Sequence, residues 1–364
     1  MGKHYRLVFA VLFVSTLVVA LLPSVVAEEN CWETKADMLE AACHYLQCAV
    51  GDGRIFVMRF YPTSHSDLSF NYEYNPSFDI WIERSPPPFY VDNPALVGFE
   101  GKIYVFGGGV VQVYDHSTDS WSTKCQMSCN RSSLDAHVVN GKIYLIGGSV
   151  PYGPDNPHQY RAVNITEIYD PAANRWTVGA PMPNIAKGYV SAAIDNKIYI
   201  ITDQTQIYDC QTDTWSTGLP CLYVPLHGGA VATSGVLAPK RVYVFGGAPD
   251  GSSSYRYTQV YNPETGSWSL AAFMPVGLRD FVVGVVDDKI YIVGGCTKFF
   301  GPATNQTSLY TPIGYGNVQN QNQQQDSTEP DSSEPFALLK FVALLATICA
   351  VLAVLLFLFL RKRT

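Results

Sequence analysis

One short motif recurs six times along this chain, and a unit repeated at a roughly fixed period cannot bury its own faces: it has to stack on copies of itself. The copies are Arg54-Ile-Phe-Val, Lys102-Ile-Tyr-Val-Phe-Gly-Gly, Lys142-Ile-Tyr-Leu-Ile-Gly-Gly, Lys197-Ile-Tyr-Ile-Ile, Arg241-Val-Tyr-Val-Phe-Gly-Gly and Lys289-Ile-Tyr-Ile-Val-Gly-Gly. Each is followed by a tyrosine, at Tyr74, Tyr114, Tyr169, Tyr208, Tyr261 and Tyr310. Seven residues later the first five copies carry Trp81, Trp121, Trp176, Trp215 and Trp268, whereas the sixth has Asn317. One tryptophan is left over, Trp32, and Met38 follows it six residues on, as Met127, Met182 and Met274 follow Trp121, Trp176 and Trp268. The N-terminal stretch therefore supplies the missing part of the last copy.

Each copy reads as four strands bounded by Gly, Pro, Asn and Asp, and 29 Gly, 23 Pro and 23 Tyr favour short strands and turns over long helices. The expected fold is all-β: six four-stranded blades arranged radially and closed into a ring by the strand holding Trp32, which pairs beside the one holding Tyr310. The Gly-Gly, Tyr and Trp marks resemble the kelch repeat, over residues 28–316. That resemblance implies a kelch-type β-propeller. Two copies depart from it, with Arg59-Phe60 and Thr202-Asp203 in place of the glycines. The paired glycines are expected where a strand end turns and approaches the next blade.

The two ends read differently. Lys3, His4 and Arg6 precede an apolar run from Leu7 to Leu22 and small residues up to Ala27, the layout of a secretory signal peptide over residues 1–27. Residues 317–335 are polar and read as a disordered stalk, and residues 336–360 as a transmembrane helix, since Phe341 to Leu360 holds no charge. Arg361, Lys362 and Arg363 mark a cytoplasmic stub over 361–364, giving a single-pass type I membrane protein with the propeller outside the cell. With its stalk and basic stop, the chain also resembles membrane-anchored surface kelch proteins such as those of archaea. A formal charge of -7 argues against a nucleic-acid partner.

Strand direction alternates, so the loops joining second to third strands share a face with those leading from one blade into the next. This is called the top. The chain leaves the last blade on the opposite face, so the top looks away from the membrane. The longer top loops carry Tyr61, Phe70, Tyr152, Tyr160, Tyr255, Tyr257, Phe299 and Phe300, rings suited to sugars or peptide pockets or to packing the loops down. The lead-in loops place His44, Asp92 with Asn93, Arg131, Lys187, His227, and Arg279 with Asp280 at the mouth of the central channel. Three fixed cations and two histidines against two acids suggest a positive mouth for an anionic ligand, an extracellular protein or glycan. Alternatively, pairs such as Arg279 and Asp280 are salt bridges between blades. Asn130, Asn164 and Asn305 head N-glycosylation triplets on the same face.

Cys349 lies in the membrane run, leaving eight cysteines outside, an even number suited to disulfides, with Cys31–Cys296 the pair that would staple the ring. His44, His65, His116, His137, His158 and His227 make no His-x-His cluster, so neither a metal nor another cofactor is expected. The expected role is binding. The alternative is a carbohydrate-active enzyme such as a sugar mutarotase at the channel mouth, needing one placed Arg and an acid or base.

Overall fold

The computed structural model describes residues 28–60, 69–153, 159–186, 188–248 and 253–317. The signal peptide and transmembrane helix expected from the sequence, the stalk beyond Asn317, Lys187, Tyr61, His65 and His158 lie outside the described residues. The described part forms six antiparallel four-stranded sheets, the first five running in chain order from an inner to an outer strand, with a small hairpin, Ser149–Pro151 with Tyr160–Ala162, raised on blade 3. The innermost strands are Leu46–Gly51, Ala95–Phe99, Asp135–Val139, Val190–Ile194, Gly229–Ala232 and Val282–Val286. Each contacts the next and the last contacts the first, so the ring is closed. Blade 6 takes its outer strand from the chain start: Cys31–Lys35 pairs antiparallel with Thr307–Thr311, with Trp32 opposite Tyr310. The expected closure is borne out.

Burial explains why this sequence needs a ring. The core divides into six apolar clusters, and every cluster is shared by two neighbouring blades. A Val/Ile/Tyr-rich strand with both faces apolar has to be covered on both sides, and only a neighbour on each side does this. The repeat tyrosine and tryptophan fasten the seams. They face each other across the hairpin of third and outer strands with ring centroids 4.8 Å apart for Tyr169–Trp176 and 5.1 Å for Tyr261–Trp268. The tryptophan reaches the preceding blade, where the Trp121 indole donates to the Ser85 carbonyl at 2.9 Å and that of Trp215 to the Ala180 carbonyl at 2.9 Å. An acid in the hairpin turn grips the same residue from the other side: Asp119 accepts the Ser85 amide at 2.8 Å and the Tyr114 hydroxyl at 2.6 Å. Asp79, Asp213 and Asn30 repeat this double acceptance for the seams behind blades 1, 4 and 6. These turn residues all sit in the left-handed region, which Asp and Asn tolerate better than most side chains.

Blade 3 departs. Its Trp176 indole nitrogen is buried without a hydrogen-bond partner. The facing strand Ser120–Gln126 of blade 2 is irregular, with a register shift against Val110 and Gln112, and the Cys125 thiol contacts Tyr169 there.

The paired glycines make the expected approach to the next blade and a second one within their own. A Cβ on Gly148 would stand 2.7 Å from the Ser132 carbonyl oxygen, and one on Gly295 would stand 2.8 Å from that of Arg279. Ser132 and Arg279 belong to the lead-in loops of the same blades, whereas the first glycine of a pair presses on the next blade: a Cβ on Gly246 would stand 2.5 Å from the Leu278 carbonyl oxygen and one on Gly294 2.7 Å from that of Ala42. Both described ends lie on the bottom face: the Gly316 amide donates to Leu237 in a bottom loop of blade 5 at 2.7 Å. The eight described cysteines are free thiols. Cys31 sits opposite Thr311 at the bottom of blade 6, whereas Cys296 follows the top end of the same blade, so the strand length separates the pair the sequence suggested.

Candidate functional site

Each lead-in loop turns sharply into the channel, and the turn needs a residue in the left-handed region. Those residues are Tyr45, Asn93, Ser133, Gly188, His227 and Asp280, with φ of 61°, 40°, 52°, 61°, 62° and 53°. They form a ring, one per blade, in which the Ser133 amide donates to the Asn93 carbonyl at 2.8 Å and the Asp280 amide to the His227 carbonyl at 2.9 Å. All six line one cavity of about 870 Å³ at the top mouth, together with His44, Asp135, Tyr160, Phe299 and Phe300. Holding non-glycine residues in this conformation costs roughly 1 kcal/mol each, so the ring is a place where the fold accepts strain.

The structure brings three of the sequence-predicted residues together and turns others away. His44, His227 and Asp280 converge from blades 1, 5 and 6: His227 Nδ1 lies 2.9 Å from Asp280 Oδ1 and His44 Nδ1 3.8 Å from Oδ2. Burial alone would raise the Asp280 carboxyl, but the hydrogen bonds from His227 and Arg279 and their charges outweigh it and hold it below the usual range. Asn93 lines the same cavity, and Asp92 accepts from the Asn93 amide group at 3.2 Å beside a smaller pocket. Arg131 is 1% exposed, donating to the Gly147 carbonyl at 2.6 Å and pairing with buried Glu167. Arg279 is equally buried, donating to Asp280 Oδ2 at 2.9 Å with its guanidinium 4.9 Å from the Phe299 ring centre. Both guanidinium groups are therefore part of the wall. Arg131 braces its own blade, and the Arg279–Asp280 pair reaches His227 of the blade before it. Among the described residues no cluster of three or more His, Cys, Asp or Glu is arranged to hold a metal ion.

With fold and mouth in view, the comparisons with known proteins identify the repeat. The Kelch motif family matches residues 130–183, the third blade. Kelch-like protein 35 of Mus musculus is 26% identical over 268 residues, covering 70% of this chain and 43% of that protein. Alpha-scruin of Limulus polyphemus is 23% identical over 272 residues, 66% of this chain and 28% of the scruin. A solved structure titled "Structure of YjhT" superposes with a TM-score of 0.64 at 16% identity, covering 77% of this chain and 97% of that one. The chain is a kelch-repeat propeller. It spans less than half the length of these curated relatives, and they bear on the repeat alone, not on a membrane anchor or an archaeal surface.

Below the mouth, the kelch propeller holds a polar cluster that the sequence reading missed. Ser191 Oγ donates to Asp135 Oδ2 at 2.5 Å and lies 2.6 Å from His137 Nε2, in a channel whose lining also includes Gln47, Ala95, Ala136, Ala230 and Val283. Burial pushes the Asp135 carboxyl up to about 6 and the His137 imidazole down to about 4. At neutral pH this is a carboxylate, a hydroxyl and a neutral imidazole in a row. The serine bonds to the acid directly, so the order is not that of a nucleophilic triad, in which the imidazole stands between. The available signal was Asp135 and His137 alternating along a strand whose counterparts hold no acid or histidine.

The loop aromatics divide. Phe70 packs in the core on Tyr72, their centroids 4.2 Å apart, and Tyr257 stacks on Tyr223 at 3.7 Å beside Tyr255. Tyr152, Tyr160, Phe299 and Phe300 are exposed. Of the three sequon asparagines, Asn130 is exposed, while the Asn164 and Asn305 side-chain amides donate to the Met182 and Met38 carbonyls at 3.0 and 3.1 Å.

Proposed function

We propose that this kelch propeller is a recognition module that takes a segment of a partner protein into its top mouth. The observation that carries the reading is the mouth cavity of about 870 Å³, whose rim combines the His44, His227 and Asp280 cluster with exposed Tyr160, Phe299 and Phe300. A rigid concave site with a few convergent polar groups and aromatic sides fits a peptide turn or tip. A purely anionic ligand, protein or glycan, is less well served. Arg131 and Arg279 are spent in the wall, and His44 and His227 already face Asp280. The mutarotase alternative needs an arginine free to hold its substrate, and the same two bonds commit both.

The chain is further proposed to be exported and anchored through residues 336–360, with the mouth outward. Support comes from the apolar runs at the two ends of the sequence and from the described ends lying on the bottom. The test is a peptide array covering extracellular protein sequences, probed with the purified protein and with its His227→Ala and Phe300→Ala variants. Peptides whose binding falls at least tenfold in both variants are expected. Binding indifferent to both variants would remove the mouth as the site.

A further inference from the structure

Cys43 and Cys296 stand near the two ends of the ring in sequence and meet at the top of its closing seam. The backbone brings them there: the Gly295 amide donates to the Ala42 carbonyl at 2.9 Å, so the residues that follow these two lie side by side. The Cys43 and Cys296 thiols are close enough to affect each other's ionisation. Both are buried, at 7% and 1% exposure, and Cys43 lines the mouth cavity. Other thiols face other groups, as Cys125 does Tyr169, Cys210 does Tyr144 and Cys221 does the Thr202 carbonyl at 2.8 Å.

We propose that Cys43 and Cys296 form a disulfide that locks the top of the seam between blades 6 and 1. The borrowed strand Cys31–Lys35 closes this seam on the outside of blade 6, and the bond would close it at the mouth. It would tie the loop bearing His44 to the one bearing Phe299 and Phe300, fixing the rim. The chemistry is thiol–disulfide exchange with a small disulfide such as glutathione disulfide. Cys43, facing the cavity, attacks as the thiolate and expels one glutathione thiolate; Cys296 then attacks the mixed disulfide and expels the second. The two cysteines lose two protons and two electrons, and the reagent's sulfur–sulfur bond is reduced to two thiols. Burial raises the Cys43 thiol and pushes that of Cys296 up to about 12, so exchange in the folded protein is slow at neutral pH and faster in alkali. The pairing stands on this geometry and is independent of the ligand reading.

The test is peptide mapping without reductant on the full chain, purified reduced and then incubated with glutathione disulfide at alkaline pH. A peptide joining Cys43 to Cys296 is expected, absent from Cys43→Ser and Cys296→Ser. The Tm should rise by about 5–10 °C on oxidation of the native sequence, with no such rise in either variant. Where a serine is not tolerated, Cys43→Ala replaces it, and mapping of the native sequence needs no variant. Both thiols remaining alkylatable after oxidation, or Cys296 joined to Cys31 instead, overturns the proposal.

Discussion

The Trp215 indole donates to the Ala180 carbonyl across a seam, and Trp176 occupies the same place in its own blade with no acceptor. Both rings lie against their repeat tyrosines, at 5.0 Å for Trp215 and 4.8 Å for Trp176, so replacing each by phenylalanine compares a seam with and without the hydrogen bond. Trp215→Phe is expected to lose about 1 kcal/mol more than Trp176→Phe in urea unfolding, because it orphans a seam carbonyl. Equal losses would show that the indole bond contributes nothing. The channel residues give a second prediction. Asp135 is raised, so between about pH 4 and 6 the folded state binds more protons there than the unfolded one, and stability falls as pH rises. His137 is lowered, so from about pH 4 to its unfolded value the unfolded state binds more, and stability rises. The two slopes oppose each other in the native protein. Asp135→Asn should expose a rising profile and His137→Gln a falling one, read from Tm against pH; unchanged profiles in both would contradict the assignments. Spacing made the tyrosines and tryptophans legible, since a fixed interval across a hairpin is a fact of sequence. The fate of Arg131 was not legible, because its partner Glu167 arrives only when the third strand folds beside it.

At the scale of an element, the lead-in loop forms the mouth. Its place before each innermost strand could be read from the interval after the tryptophans, and these loops line the cavity. The left-handed turn residue was harder to see: Tyr45 and Ser133 line the mouth as His227 does, yet neither looks like a turn former of that kind. The glycine that presses on the loop offers a test. Gly141 has φ of 73° and a methyl added there would meet nothing within 4 Å, while Gly148 has φ of 85° and its added methyl would meet the Ser132 oxygen at 2.7 Å. Gly141→Ala should cost about 1 kcal/mol for the backbone conformation alone, and Gly148→Ala at least twice that. Similar costs would show that the loop yields. The sequons follow the same logic of prior commitment. Made in a secretory host, the propeller should carry glycan at Asn130, because Asn164 and Asn305 use their amide nitrogens to hold lead-in methionines. Glycopeptide mapping that finds Asn164 or Asn305 occupied and Asn130 bare would contradict this.

At the scale of the whole molecule, six copies and a stray tryptophan were enough to read the ring and its closure, because stacking and edge pairing are properties of a repeat and not of any one residue. What the mouth presents was not legible, since charges counted along a sequence say nothing about which side chains fold into the wall. Deleting residues 28–36 removes the strand that pairs with Thr307–Thr311 and the Trp32 ring packed 5.0 Å from Tyr310. The truncated chain should unfold at least ~10 °C lower or associate through the bared edge of blade 6. The most direct measurement is hydrogen–deuterium exchange on the protein with and without a peptide taken from the array. Protection at the loops holding His44, His227, Asp280 and Phe299 is the result this account predicts. Protection confined to the bottom loops around Leu237 and Gly314, with the mouth unchanged, would contradict it.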